Sequence, residues 1–199
     1  MRFHGWMAGA LALAAAGPIW AQEPPPRGAG PAIDATIGNQ VLQLRYLAPS
    51  PITHQATSDL DYGVLLSENR EFVGSAALLF NTNLDLVPGL RLQVGPQAYL
   101  ALLNEPKKTD LFALAFGASA RYDLIPRLGL AVFGAGYYSP GVLTFGNAHN
   151  LYDFQAGGEV RFTSRLYGLA GYRWFKFTLT DEPDDRVANE VFAGFRWVL

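Results

Sequence analysis

The feature that most constrains this chain is an alternation of side-chain character with a period of two, sustained over stretches longer than ordinary strands. In residues 90–102 the even positions are Leu90, Leu92, Val94, Pro96, Ala98, Leu100 and Leu102. The odd positions between them are Arg91, Gln93, Gly95, Gln97, Tyr99 and Ala101. One face is wholly apolar and the other largely polar or small. Successive side chains of an extended strand point to opposite faces, so the pattern reads as a two-faced β-strand. The same parity recurs in 58–66, 72–80, 111–122, 128–138, 151–162, 166–176 and 188–199. It is sharpest in 151–162, where Tyr152, Phe154, Ala156, Val160 and Phe162 oppose Asp153, Gln155, Gly157, Glu159 and Arg161. It is weaker in 128–138, and in 72–80 the two faces are nearly alike. A spanning helix needs about 20 consecutive apolar residues. The longest stretch without a formal charge, 128–152, contains Pro140 and five glycines, so a transmembrane helix is excluded.

Two all-β solutions fit such strands. A soluble barrel turns its apolar face inward, and an outer-membrane barrel turns it outward to lipid. The minority face decides between them. It mixes Gly, Ala and Ser with isolated charges of both signs, where a water-facing surface would carry more Lys, Glu and Thr. Only 16% of residues are charged, against about 25% in soluble domains. Small residues interleaved with Arg, Asp and Glu suit a narrow interior. The expected fold is therefore a closed antiparallel transmembrane β-barrel of 8–10 strands. Residues 58–199 supply eight of them. The stretch 33–46, IDATIGNQVLQLRY, either folds as two short strands around Gly38-Asn39 or packs against an eight-stranded wall. A ninth strand alone would break the usual even count, and the reading favours ten.

The N-terminus reads as an address. Residues 1–21, MRFHGWMAGALALAAAGPIWA, carry Arg2, then a short apolar run broken by Gly17-Pro18, and end on a small residue. This is the form of a secretory signal peptide, with cleavage expected near Ala21. Removing it takes one positive charge, so the formal net charge moves from −2 to −3. Residues 22–32, opening QEPPPRGAGP, form a Pro/Gly-rich leader expected to be extended, and 33–199 form a single barrel domain. The absence of Cys removes disulfide scaffolds, Cys-ligated metals and thiol nucleophiles. Near-neutral charge argues against nucleic acid as a partner.

If the chain ends on the periplasmic side, the connections 163–165, 123–127 and 81–89 become periplasmic turns. The segments 180–187, 140–150, 104–110 and 67–71 become external loops. The longest and most charged connections, TDEPDDRV and NEPKKTD, then lie outside, as is usual for such barrels.

Parity places Arg45, Arg91, Arg121, Arg161, Arg173 and Arg196 inside, with Asp59, Asp61, Asp153, Glu159 and Glu190. These charges could form a selective constriction or a packed ladder of ion pairs that closes the lumen; the narrow interior of a small barrel favours the ladder. Tyr122, Tyr138, Tyr152, Tyr172, Trp174 and Trp197 fall on the apolar face near strand ends, the position of interfacial aromatic girdles. Ser139, His149 and Asp153 lie near one rim and are the best candidates for hydrolytic chemistry, but Ser139-Pro140 also reads as ordinary turn chemistry. No catalytic site, metal site or cofactor is expected.

Four stretches resemble the YfaZ family of outer-membrane proteins: ENREFVGS at 68–75, Tyr137-Tyr138-Ser139-Pro140, Ala170-Gly171-Tyr172-Arg173, and the last strand with Phe192 and Gly194. The resemblance implies a barrel in the bacterial outer membrane without an assigned biochemical activity. The last strand, Val191 through Leu199, also resembles the C-terminal signal read by the barrel-assembly machinery, although Leu199 stands where Phe is the usual ending. The sequence reading is thus of a monomeric, non-enzymatic outer-membrane barrel with a structural, adhesive or narrow-channel role. Outer-membrane lipid and the assembly machinery are its expected partners. A small-solute pore and a lipid-modifying enzyme are the alternatives.

Overall fold

A computed structural model describes residues 30–50, 58–82, 87–104, 109–146, 148–179 and 185–199. The expected signal peptide and most of the leader fall outside these. Eleven strands follow one another: β1 (Ala32–Ile37), β2 (Val41–Pro49), β3 (Ser58–Ser67), β4 (Phe72–Thr82), β5 (Leu90–Leu103), β6 (Thr109–Ile125), β7 (Leu130–Ser139), β8 (Thr144–Phe145), β9 (Ala148–Arg161), β10 (Leu166–Leu179) and β11 (Asp185–Val198). Ten close into an antiparallel barrel in the order β5-β4-β3-β2-β1-β11-β10-β9-β7-β6, and β5 pairs with β6 to complete the ring. The two-residue β8 lies against Phe112 and Ala113 of β6, beyond the stretch that β7 covers.

The stretch 33–46 forms the two strands that make the count ten. Gly38 donates its N–H to Val41 O at 2.9 Å and closes a tight hairpin. β1 pairs Ile37 with Leu42 on one side and with Ala193 on the other, so this short strand is the seam joining the two ends of the sheet. Leu199 N–H donates to Pro31 O at 2.8 Å and brings both termini of the barrel to one rim.

Several connections differ from the sequence reading: β6 begins at Thr109, inside the expected 104–110 loop, β11 begins at Asp185, inside the expected 180–187 loop, and two others change more. The 123–127 turn forms later: β6 continues to Ile125, and Pro126–Leu128 make a single 3-10 turn. Pro126 fixes its own φ, and Gly129 takes φ 61°, a left-handed conformation that glycine adopts without steric cost. Leu128, expected in a strand, therefore sits in the turn. The 140–150 stretch holds a 3-10 turn at Gly141–Leu143, then β8, and β9 begins within it at Ala148.

The orientation of the faces is that of a membrane protein. Leu44, Leu100, Phe116 and Phe195 point outward with about half their surface exposed. Glu159, Asp61, Gln97 and Arg173 of the alternate face are buried. In water this arrangement would expose the apolar face and bury charge. In hydrocarbon it is the stable sense, and a closed ring leaves no unpaired sheet edge within the lipid.

Half of the interior is apolar. Leu65, Val73, Leu111, Leu151, Phe175 and Phe177 pack together inside the barrel toward the 38–40 and 68–71 turns, each almost completely buried. The tilted Tyr99–Phe175 pair and the edge-to-face Phe175–Phe177 pair knit this layer. The backbone comes close to itself at some inward glycines: a Cβ on Gly194 would lie 2.1 Å from Ala35 O across the β1–β11 seam. Gly194→Val is expected to prevent closure, while Ala193→Val on the lipid face is tolerated. Heat-modifiable migration on detergent gels reads this as loss of the compact band in the first variant only.

Candidate functional site

Inward parity on β1, β11, β9, β6 and β5 brings charged groups together at the end of the lumen where the termini meet. Arg196 forks onto Asp34, with Nε to Oδ1 and Nη2 to Oδ2 both 2.8 Å, and its Nη1 donates to Glu159 Oε2 at 3.0 Å. Arg121 Nε donates to the other carboxylate oxygen of Glu159 at 2.9 Å, and its Nη1 reaches Asp123 at 2.5 Å. Arg91 lies 3.9 Å from Asp123 at the open end of the chain. The order Asp34–Arg196–Glu159–Arg121–Asp123–Arg91 makes one continuous ion-paired strip across five strands. Beside it Asp59 accepts from Asn81 Nδ2 at 3.1 Å and Gln93 Nε2 at 2.8 Å.

The middle of the lumen is held differently. Arg45 forks onto Asp61. Tyr99 donates its hydroxyl to Asp153 Oδ2 at 2.7 Å. Arg173, only 1% exposed, donates from Nη2 to Thr36 Oγ1 at 2.8 Å. Its guanidinium also stands 4.9 Å from the centre of the Phe192 ring, a cation–π geometry. Glu190 accepts the N–H of Gln40 at 2.6 Å and lies over Gly38, so its carboxylate pins the β1–β2 turn. Between Arg45, Tyr99, Tyr137, Asp153, Gln155 and Arg173 there is a cavity of about 20 Å³, space for about one water molecule.

Of the residues that parity places inside, Arg45, Asp61, Arg91, Arg121, Glu159 and Arg196 enter ion pairs. Asp59 and Asp153 are held by neutral donors, Arg173 by a hydroxyl and a ring, and Glu190 by backbone. Arg161 is not brought into the strip; its side chain packs against Gly129 at the rim. The sequence reading missed Asp34, Thr36 and Asp123. Each was available from parity, Asp34 and Thr36 alternating with Ile33, Ala35 and Ile37, and Asp123 sharing its face with Arg121.

The six aromatics lie on the outer wall. Tyr138, Tyr152, Trp174 and Phe154 form a continuous ring cluster, with centroids 5.0 Å, 5.9 Å and 5.6 Å apart in succession. Tyr172 donates its hydroxyl to Asn189 on the neighbouring strand. Tyr122 and Trp197 stand toward the opposite rim, paired with Leu90 and Leu166 at the strand ends.

The Ser139, His149 and Asp153 set is not assembled. Ser139 is fully buried, donates to Leu114 O at 2.9 Å and lies 3.0 Å from Thr144 Oγ1. Asp153 serves Tyr99, and His149 faces solvent with no bond to either. Among the described residues no group of His, Asp and Glu could hold a metal ion.

An apolar outer wall around an ion-paired, packed interior defines a transmembrane β-barrel of the outer-membrane type. A family model described as "YfaZ precursor" matches residues 67–198, and this chain belongs to that family. A comparison with curated proteins returns no match. Among solved structures, a "Bacterial polysaccharide outer membrane secretin" is similar at 10% identity and a TM-score of 0.48, over 82% of this chain. This chain spans 57% of that secretin's length.

Glu159 is the centre of the strip because two arginines share its carboxylate. Breaking a buried pair by removing one partner costs about 3–5 kcal/mol. Glu159→Ala is therefore expected to lower unfolding free energy by about 3 kcal/mol in urea titrations in vesicles, whereas exposed Glu68→Ala changes it by less than about 0.5 kcal/mol. Equal effects at the two positions would refute the ion-paired strip.

Proposed function

We propose that this protein is a non-conducting, non-enzymatic outer-membrane barrel that acts through its surfaces and not through its lumen. The observation that supports the reading is side-chain packing in the lumen. The ion-paired strip crosses one end, the Leu–Phe layer packs the other, and the polar cavity between them has room for about one water. A conducting barrel needs a continuous aqueous path, and a lipid-modifying enzyme needs a nucleophile and base in reach of one another. The resulting role is structural or adhesive, exercised by a monomer through its outer wall and external loops. The chain is exported with residues 1–21 removed near Ala21. The assembly machinery then recognises the strand from Val191 to Leu199.

Planar bilayer recording tests the closed lumen. The wild-type protein is expected to give no discrete conductance steps. Steps whose size changes in Arg45→Ala or Arg173→Ala would establish a pore and overturn the proposal. N-terminal sequencing of protein recovered from the outer membrane tests the export reading: Gln22 is the expected first residue, and a retained Met1 would contradict it.

A further inference from the structure

The lumen arginines are all engaged, but three arginines at the rim where the termini meet are not. Among the described residues, no hydrogen bond or ion pair engages the guanidinium groups of Arg127, Arg161 and Arg165. They sit on two adjoining turns. Arg127 is in the 3-10 turn between β6 and β7, Arg165 is in the turn between β9 and β10, and Arg161 ends β9. The β7–β9 pairing of Leu130 with Val160 places the two turns side by side. Arg161 N–H donates to Gly129 O at 3.1 Å and ties them together. The acids closest in sequence, Asp123 and Glu159, are already taken by Arg121, Arg91 and Arg196.

Exposed apolar side chains flank these cations. Leu124, Leu128 and Phe162 stand out from the same turns at 47%, 59% and 58% exposure. Tyr122 and Trp197 on the same rim mark the level at which a barrel meets the headgroup region. An arginine at this height can fork onto a phosphate, a geometry that matches its planar donors.

We propose that Arg127, Arg161 and Arg165 form a binding site for the phosphodiester headgroup of an anionic glycerophospholipid, whose acyl chains lie against Leu128 and Phe162. With the chain ends on the periplasmic side, the lipid belongs to the inner leaflet. The proposal rests on the membrane-barrel reading and adds to it a lipid preference.

The test compares protein refolded into phosphatidylcholine vesicles with protein refolded into an equal mixture of phosphatidylcholine and phosphatidylglycerol. Lipid retained on the barrel is measured by native mass spectrometry. Basic residues near an anionic surface together support an enrichment of about ten-fold or more for the anionic lipid. Wild type is expected to show this, and the triple variant Arg127→Gln/Arg161→Gln/Arg165→Gln to lose it. Arg70→Gln at the opposite rim should leave it intact. No enrichment in wild type, or full enrichment in the triple variant, overturns the proposal. Should the triple variant fail to insert, Arg165→Gln in its exposed turn carries the comparison, and an unchanged enrichment there overturns it too. Failure of the wild type to insert into phosphatidylcholine alone would instead refute the barrel reading on which the site depends.

Discussion

Closure of the β-sheet is the constraint from which the rest follows. A strand in hydrocarbon cannot leave its N–H and C=O groups unpaired, so a sheet in the membrane has to meet itself. Here it does so at two places, along the full-length β5–β6 pairing and at the short β1 seam. β1 covers only six residues of the longer β11. The seam is nevertheless well held: Gly194 admits the backbone of β1, Arg196 forks onto Asp34, and Glu190 fixes the turn that follows. Once the ring is closed, parity assigns every other side chain to lipid or lumen.

Side chains just fill the interior of an eight-stranded ring; this ten-stranded one is wider, and the chain lines it with two chemistries. The ion-paired strip gives its charges partners from five strands, so that no single hairpin is self-sufficient. The apolar layer at the other end covers the Arg173 and Tyr99 region on one side, where the cavity has room for about one water. Arg173 illustrates the balance. Its charge is stabilised by a ring face and a hydroxyl, with Glu190 and Asp153 on neighbouring strands. The lumen is thus packed with apolar side chains at one end and with ion-paired ones at the other.

Much of this was legible in the sequence because a period of two carries one unambiguous bit per residue. The exposure of Phe154 and the burial of Glu159 were both fixed by their position in 151–162. The two strands in 33–46 were one of two readings the sequence left open, and the tight turn at Gly38 decides for them. The apolar layer was not legible. Leu65, Val73, Leu111 and Phe177 share the parity of Asp61, Ser75, Gln97 and Arg173, and alternation alone cannot tell a greasy inward residue from a greasy outward one. The choice of partners was hidden for a related reason. Parity placed Arg161 and Arg121 on the same side of the sheet, but height along the barrel decides that one meets Glu159 and the other reaches the rim. Turn positions moved by two or three residues where Pro126 and Gly129 outweighed the strand pattern.

The most direct test of the inside-out sense is tryptophan quenching by brominated acyl chains. In a background where Trp174 and Trp197 are replaced by Phe, the variants Phe116→Trp and Tyr99→Trp each carry one reporter in the barrel. Strong quenching at position 116 and none at position 99 is the predicted result. Quenching at 99 with silence at 116 would mean that the faces are reversed, and the membrane account would fail.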